Sequence, residues 1–312
     1  MSLSDFYGPA DRDESIATIH AALDAGINLL DTGDFYGAGH NELLIRHALE
    51  GRRREDVFIA VKFGAMRSPD LGFIGVDARP AAVKNFLAYT LRRLGTDYVD
   101  LYQPARVDPN VPIEETVGAI KDMVEAGFVR HIGLSEAGAD TLRRAHAVHP
   151  IAWLQIEYSL ISRGIEEEIL PTARELGISI SAYGVLSRGL LSGHWSADRA
   201  SAGNDFRAHL PRFTGDNAKT NLALVERLRE LAAAKDCTVA QIAVAWVLAR
   251  GEDIVPLVGA RRRDRLSESL GALDVQLSAD DMAQIEAAVP PGAARGDRYV
   301  PAQMAMLDSE RP

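Results

Sequence analysis

Short apolar runs alternate with amphipathic segments along most of this 312-residue chain, and this alternation limits the folds that it can adopt. Seven runs have the length and the β-branched, aliphatic composition of buried strands. They are INLLD (27–31), VFIAV (57–61), YVDLY (98–102), VRHIGL (129–134), IAWLQI (151–156), ISISAY (178–183) and IVPLV (254–258). Hydrophobic strands that alternate with helices predict a parallel sheet covered by helices.

The segments between these runs carry helix signals at their ends. RDESIATIHAALDAG (12–26) has apolar residues three and four positions apart and stops at a glycine. DARPAAVKNFLAYTLRRLG (77–95) has Asp77 near its predicted N-cap, Pro80 in its first turn and Gly95 at its end. These signals predict the helices that a β/α alternation requires.

The fold that this pattern favours is a (β/α)8 TIM barrel, an α/β fold with eight parallel strands. Seven strands are one short, and residues 184–253 are predicted as helix and loop. We therefore expect the first strand to be largely missing, or reduced to an N-terminal stub at MSLS (1–4). No linker rich in Pro, Gly or Ser divides the chain, so we expect one domain over 1–312. A doubly wound open sheet is the alternative, although no G-x-G-x-x-G turn is present.

Composition narrows the choice of partners. The net charge of −10 leaves no general basic face for nucleic acid or an anionic membrane. No apolar run approaches the roughly 20 residues that span a bilayer, and the N-terminus has no signal-peptide pattern. The lone Cys237 cannot form an internal disulfide, which is typical of a reducing cytoplasm. We expect a cytoplasmic protein that acts on a small molecule; no signal for its oligomeric state is present.

Polar residues occur at the end of every predicted strand. They are Asp31, Thr32, Tyr36, Lys62, Arg106, Ser135, Glu136, Gln155, Tyr158, Tyr183, Arg188 and Arg261. In a barrel the C-terminal ends of the strands gather at one face, where active sites lie. The regularity predicts an active site at that face. A nucleophile elbow is disfavoured because GLSEAG (133–138) has the wrong glycine spacing, and the eight histidines lack metal-ligand spacing.

Three of these residues, Asp31, Tyr36 and Lys62, suit the donation of a proton. A tyrosine is a weak acid at neutral pH because its unperturbed pKa is about 10. A nearby ammonium favours the phenolate and lowers that pKa, and a carboxylate holds the lysine in place. The triplet is therefore predicted to protonate an oxygen that becomes an alkoxide. Taken singly, each residue has a plain structural interpretation as a loop cap, a loop aromatic or a solvated strand end.

Seven motifs stand in the order of the blocks of the aldo-keto reductases, over nearly the whole chain. They are GINLLDTGDFYGAGHNE, VKFG, YVDLYQPARVDP, GLSE, LQIEYSL, AYGVLSRGLLSG and GARRRDRLSES. The resemblance implies a barrel that reduces aldehydes and ketones with NADPH. It implies Asp31, Tyr36 and Lys62 as catalytic residues, with Tyr36 as the acid.

The same resemblance implies a cofactor site for NADPH/NADP. Ser135 and Gln155 would bind the nicotinamide carboxamide, and Tyr183 would stack on the nicotinamide ring. The VLSRG loop would lie over the pyrophosphate and supply three further contacts: Leu186, Arg188 and Gly189.

An arginine block at 261–265 places four arginines within five positions of an acidic chain. The resemblance implies that Arg261 and Arg265 bind the 2′-phosphate of NADP, and that Glu268 and Ser269 contact the adenine. Guanidinium forks suit a phosphate, and the start of a helix adds N–H groups and a positive dipole end. The other two arginines of the block have no counterpart and are predicted to be solvated.

Two departures from the family pattern leave alternatives open. The family has a histidine that hydrogen-bonds the carbonyl oxygen where this chain has Ala105, although Arg106 or Gln103 could compensate. The family's first strand is mostly missing before SLSDFYG (2–8). The leading hypothesis is an NADP-dependent carbonyl reductase of the alcohol dehydrogenase type. The alternatives are a cofactor-binding regulatory subunit resembling the potassium-channel β subunits, with little or no turnover, and an inactive product.

Overall fold

The computed structural model describes residues 3–4, 10–195 and 206–311. Its strands are β1 (Leu29–Gly33), β2 (Phe58–Phe63), β3 (Ala65–Arg67), β4 (Phe73–Val76), β5 (Val99–Pro104), β6 (Val129–Ser135), β7 (Ile151–Glu157), β8 (Ser179–Tyr183) and β9 (Ile254–Pro256). Seven strands form one parallel sheet in the order β1-β2-β5-β6-β7-β8-β9, and β3 and β4 form an antiparallel pair. The parallel sheet predicted from the seven apolar runs is therefore confirmed.

The helices of the described chain are α1 (Arg12–Asp24), α2 (His40–Ala48), α3 (Pro80–Leu94), α4 (Ile113–Glu125), α5 (Ala139–Val148), α6 (Ile169–Glu175), α7 (Gly215–Ala234), α8 (Val239–Leu248), α9 (Arg263–Leu270), α10 (Ala279–Ala288) and α11 (Pro301–Met304). Seven of them, α2 to α8, lie between strands, as the sequence pattern predicts; α1 precedes β1, and α9 to α11 follow β9. Asp77 lies near the N-cap of α3, as expected, and the N-cap residue itself is Arg79. The residue before a proline favours extended backbone, so Arg79 takes the cap position before Pro80. Asp77 instead accepts the Arg79 N–H at 3.1 Å.

Several strands run about two residues further than the apolar pattern predicts. Asp31 pairs with Ala60 and Gly33 pairs with Lys62, so the polar residues belong to the ladder rather than to the loops after it. A polar side chain interrupts a hydrophobic run without interrupting the backbone hydrogen bonds that define a strand. The polar residues thus stand on rigid strand ends.

The two faces of the sheet carry different clusters, because successive side chains of a strand point to opposite sides. One face packs against the helices in the main hydrophobic core, which includes Val61, Tyr102 and Ile180. The other face carries a small separate cluster made of Leu29, Phe58, Ala60, Leu101 and Trp153. This second cluster matches the side-chain-filled interior of a barrel.

The two ends of the sheet are brought together by their helices. The helix before β1, α1, packs against α9, which follows β9. Glu14 on α1 accepts the backbone N–H of Arg263 at 3.0 Å and pairs with its guanidinium at 2.9 Å. The sheet is therefore curled, and the doubly wound alternative is disfavoured. Within the described ranges no eighth parallel strand is present. Of the stub expected at 1–4, residues 1–2 lie outside those ranges, and Leu3 and Ser4 form a turn instead of a strand.

In the described part of the chain, no individual helix combines the length and the apolarity needed to cross a bilayer. Helices α7 and α8 meet that test only when they are counted together, and they lie at 86° to each other.

Candidate active site

The innermost polar group at the C-terminal face joins β1, β2 and β7. Lys62 Nζ donates to both carboxylate oxygens of Asp31, each at 2.7 Å, and Gln155 Nε2 donates to Asp31 Oδ1 at 2.7 Å. Lys62 is buried. Burial lowers the pKa of Lys62, while Asp31 acts in the opposite direction and favours the ammonium. The Asp31 carboxylate is thus held from β2, the strand next to it, and from β7, which is four places away in the sheet.

Tyr36 lies on the short helical turn Tyr36–Gly39 that follows β1. Its ring is 7% exposed, and Lys62 Nζ lies 5.3 Å from the ring centroid. The turn can bring the ring back over the strand end because Gly37, Ala38 and Gly39 all have positive φ. The structure thus brings the three predicted catalytic residues together.

The end of β5 is the place where the family's histidine is lost. Ala105 is 3% exposed, and its N–H donates to Phe63 O at 2.8 Å, so the chain here continues alongside β2. Gln103 pairs with Lys62 in the ladder, is fully buried, and has no hydrogen-bond partner for its amide atoms among the described residues. Arg106 is half-buried, and its charge contributes to the lowered pKa of Lys62. Arg106 is thus part of the site, a point that spacing alone left open.

A cleft of about 360 Å³ opens beside Arg106. Its walls come from the β3–β4 hairpin, the loop after β5 and the segment after α11. The lining side chains include Met66, Ile74, Val76, Arg106, Met306 and Arg311. The cleft is therefore mostly apolar with two arginines. Arg106 links it to the catalytic group, because the charge of Arg106 acts on Lys62 and Tyr36 lies within reach of that charge.

The residues predicted to hold the nicotinamide lie on neighbouring strands. Ser135 and Gln155 are register partners on β6 and β7, and Glu157 and Tyr183 are partners on β7 and β8. Ser135 is buried, and the Tyr183 hydroxyl donates to Glu136 Oε1 at 2.6 Å. Ser135 and Gln155 thus lie side by side, and Tyr183 lies two residues further along β8, so the three form a staggered row across the face.

Glu136, which follows Ser135 in the chain, is buried and accepts hydrogen bonds at both of its carboxylate oxygens. It accepts from the Tyr183 hydroxyl, from the Ser309 hydroxyl at 2.6 Å and from Arg298 at 2.8 Å. Although burial raises the pKa of Glu136, the Arg298 guanidinium lowers it to about 2. Glu136 therefore ties the C-terminal segment to the barrel.

Glu157 is a second buried carboxylate that the sequence reasoning missed. Arg188 donates to it at 2.9 Å, Arg212 and Arg298 lie 3.5 Å from it, and the Ser162 hydroxyl donates at 2.9 Å. A signal for this residue did exist, because an acid inside the apolar strand LQIEYSL needs a buried partner.

The three predicted pyrophosphate residues lie in and beside the turn Ser187–Ser192, directly after β8. Arg188 stacks on Tyr299 at 4.3 Å from the ring centroid while it pairs with Glu157. Gly189 has φ +96°, and a Cβ there would lie 3.1 Å from the Arg207 guanidinium. Leu186 is the residue before this turn. The turn therefore requires glycine at 189 both for its backbone and for its close neighbour.

The phosphate-binding residues predicted from the arginine block lie at the start of α9. Arg261 is half-exposed, and Arg265 is exposed and pairs with Glu268 at 2.8 Å. His194 lies 3.1 Å from Glu268 and also contacts Arg265. The hydroxyl of the buried Ser269 donates to Arg265 O at 3.0 Å. The four predicted residues are thus together, but Glu268 and Ser269 already have partners within the protein.

The other two arginines of the block are exposed as predicted, yet they are paired. Arg262 lies 2.8 Å from Asp264, and Arg263 lies 2.9 Å from Glu14. Glu14 also accepts the Arg263 N–H, so one of the N–H groups expected at the helix start is already used. Any anion bound there would depend more on the side chains than on this backbone group.

The donor set fits a dinucleotide phosphate. The row on β6, β7 and β8 leads into the 184–193 turn, and β9, beside β8, leads to the arginine block. This part of the face thus presents three features in succession. They are the polar groups at the strand ends, the turn that carries Arg188 and the positively charged start of α9. Guanidinium groups suit phosphate oxygens.

Comparison with known proteins agrees with this geometry. The model of the Aldo/keto reductase family matches residues 1–290. The chain is 45% identical over 302 residues to "Probable aldo-keto reductase 1" of Glycine max, covering 96% of this chain and 86% of that protein.

Two solved structures resemble the fold. The glycerol dehydrogenase of Gluconobacter oxydans matches with a TM-score of 0.83 at 31% identity, covering 92% of this chain and 89% of that one. An aldo/keto reductase of Klebsiella pneumoniae, in complex with NADP and acetate, matches with a TM-score of 0.71 at 26% identity, with coverages of 92% and 89%. The family's fold is a (β/α)8 barrel and its cofactor is NADPH. This chain belongs to the aldo/keto reductase family.

Proposed function

We propose that this chain is an NADPH-dependent carbonyl reductase, of the alcohol dehydrogenase type, that acts on an aldehyde or ketone with Tyr36 as general acid. The observation that carries the proposal is the Asp31–Lys62 pair beside Tyr36. Both carboxylate oxygens lie 2.7 Å from Nζ, which lies 5.3 Å from the tyrosine ring centroid. Family membership supports the same chemistry.

When bound, NADPH supplies the hydride that adds to the carbonyl carbon. Tyr36 gives its proton to the carbonyl oxygen, and the Lys62 ammonium favours the phenolate that remains. Asp31 keeps Lys62 charged and in place, and Gln155 keeps Asp31 in place. Burial excludes water from the lysine, which makes its field on the tyrosine stronger.

The proposed cofactor residues are those that the family resemblance implies. Ser135, Gln155 and Tyr183 would hold the nicotinamide. The pyrophosphate and adenosine contacts are Leu186, Arg188, Gly189, Arg261, Arg265, Glu268 and Ser269. A single domain over 1–312 is part of the proposal, since one hydrophobic core takes in side chains from Ile19 to Val289.

A second candidate is a cofactor-binding regulatory subunit with little or no turnover. The buried Ala105 favours it, because no imidazole is present there to orient a carbonyl. The two candidates differ in NADPH oxidation measured against a panel of aldehydes, which only the reductase supports.

The Tyr36→Phe variant tests the role of the acid. We expect NADPH to bind with unchanged affinity, because the lost hydroxyl serves the substrate, and turnover to fall about 10²–10⁴-fold. NADPH fluorescence titration and oxidation at 340 nm measure the two quantities. Near-normal turnover in the variant would contradict the role of Tyr36. Tight NADPH binding by the unmodified protein, with no oxidation on any aldehyde, would favour the regulatory subunit.

A further inference from the structure

Arg106 has no carboxylate partner among the described residues. It is half-buried, and its Nη1 donates a hydrogen bond to Ala105 O at 2.6 Å. No carboxylate in the described ranges lies within 4.0 Å of its guanidinium. A cation that is partly removed from water is costly without an anion nearby.

Neighbouring arginines show the usual arrangement. Arg188, Arg212 and Arg298 each lie within 3.5 Å of a carboxylate oxygen of Glu136 or Glu157. Glu136 is the carboxylate whose charge reaches Arg106, but its oxygens are already occupied by other donors, Arg298 among them. In the part of the chain that the structure describes, no carboxylate is therefore left to pair with Arg106.

The free donors of Arg106 suit a carboxylate. With Nη1 on Ala105 O, the Nε and Nη2 groups have no acceptor in the described part of the chain. These two groups form the edge of a guanidinium that binds both oxygens of a carboxylate in parallel. An arginine is preferred to a lysine for this kind of contact.

The cleft around Arg106 suits the rest of such a ligand. Met66, Ile74, Val76 and Met306 form an apolar wall, and the volume of about 360 Å³ is enough for a small ring or a short chain. The second arginine of the cleft, Arg311, lies 3.6 Å from Asp308 and so has an acid of its own. The open positive charge in the cleft is therefore that of Arg106.

We propose that the substrate is an aldehyde or ketone that also carries a carboxylate, and that Arg106 binds this carboxylate while the carbonyl lies at Tyr36. The proposal rests on the proposed function above. In the reaction, hydride from NADPH forms the new C–H bond and the C=O π pair moves to oxygen. The oxygen takes a proton from Tyr36, a proton taken up from solution restores the tyrosine, and the products are a hydroxy-carboxylate and NADP⁺.

The test on the unmodified enzyme compares matched substrates. The 2-, 3- and 4-carboxybenzaldehydes are each paired with the formylbenzamide of the same substitution, which has a similar shape and no charge. NADPH oxidation at 340 nm gives kcat and KM for each. We expect kcat/KM to be at least tenfold higher for one or more acids than for the matched amide, mainly through a lower KM. Equal kcat/KM within all three pairs would overturn the proposal.

Variants test whether Arg106 causes the preference for the acid over the matched amide. Arg106→Gln should reduce the acid-to-amide ratio of kcat/KM to near one, and Arg106→Lys should give an intermediate ratio because it keeps the charge and loses the fork. Arg130→Gln is the matched control, since Arg130 is exposed near the start of β6, at the opposite end of the barrel, where it stacks on Tyr98. An unchanged ratio in Arg106→Gln would overturn the assignment. If that variant does not fold, the substrate pairs on the unmodified enzyme remain decisive.

The outcomes separate this proposal from the one on which it rests. Turnover of the neutral amides, with no gain for the acids, overturns the carboxylate preference and leaves the reductase intact. No turnover of either class by a protein that binds NADPH overturns the reductase, and the carboxylate proposal with it.

Discussion

Two groups of ion pairs at the C-terminal face of this barrel differ in their access to water. The inner group joins Glu136 and Glu157 to arginines whose side chains are all less than one-tenth exposed. The outer group surrounds the start of α9, where Arg263 and Arg265 pair with Glu14 and Glu268 and remain largely exposed. Both groups use the same side-chain types, so burial is the main difference between them.

The difference in burial indicates that the inner pairs stabilise the fold and that the outer arginines are available for binding. Buried charges have lost their hydration, so each depends on its partner, and removing one leaves an uncompensated charge. Exposed pairs contribute little because water and salt compete for both partners. An arginine of the outer group can therefore exchange its acid for a phosphate at low cost, whereas an arginine of the inner group is held for structure.

The largest expected effect comes from breaking the inner group. Arg298→Leu leaves Glu136 buried without its main counter-charge, so we expect the free energy of unfolding to fall by about 3–5 kcal/mol. Arg263→Leu removes a charge from the outer group and is the matched control, with a much smaller change expected. Urea unfolding of both variants measures the difference. Similar losses in the two variants would contradict the comparison.

Asp34, another buried acid, makes the free energy of unfolding depend on pH. Burial, and then the charge of Glu42, raises the pKa of Asp34 from 3.8 to about 7. Between about pH 4 and 7 the folded chain thus keeps a proton that the unfolded chain releases. The proton on Asp34 therefore adds to the free energy of unfolding at low pH. That contribution is lost as the pH rises through 7. A shift of this size corresponds to roughly 4 kcal/mol at most.

Asn at position 34 does not titrate. The free energy of unfolding of the Asp34→Asn variant should therefore fall less between pH 5 and pH 7.5 than that of the unmodified protein. Urea unfolding at the two pH values measures the slope. Asp264→Asn, at an exposed pair beside Arg262, serves as the control and should leave the slope nearly unchanged. The same slope in Asp34→Asn and in the unmodified protein would mean that Asp34 is not the group that titrates.

The smallest expected effect on stability, with a clear effect on binding, concerns the outer group. Changing both Arg261 and Arg265 to Ala should leave the fold intact and lower the preference for NADPH over NADH by tenfold or more, since each charge-assisted contact contributes roughly 1.5–3 kcal/mol. The double change of Arg262 and Arg263 to Ala is the control from the same block. Equal affinity of the unmodified protein for NADPH and NADH would show that Arg261 and Arg265 do not bind a phosphate.

Local patterns predicted the elements, and motif order predicted the site. Seven apolar runs gave seven strands, and the Asp31, Tyr36 and Lys62 positions could be named before any geometry was known. Strand ends were the weak point, because Asp31 and Lys62 are polar and yet continue the ladder. Hydrophobicity reports which face is buried in apolar surroundings; it does not report a polar side chain that is buried against another polar side chain.

The sequence by itself determined the β/α alternation, the chemistry available at the strand ends and the family, because these depend on residues that are near one another in the chain. Only the tertiary structure decided which charges are buried together. Arg298 and Glu136 are 162 positions apart, and nothing local to either residue indicates the other. The direction of Arg106 was decided in the same way, since a residue just after a strand can turn toward the cleft or toward solvent. Arg106 is half-buried beside an apolar cleft because the β3–β4 hairpin and the segment after α11 form the walls of that cleft. These segments come close to Arg106 only in the folded chain.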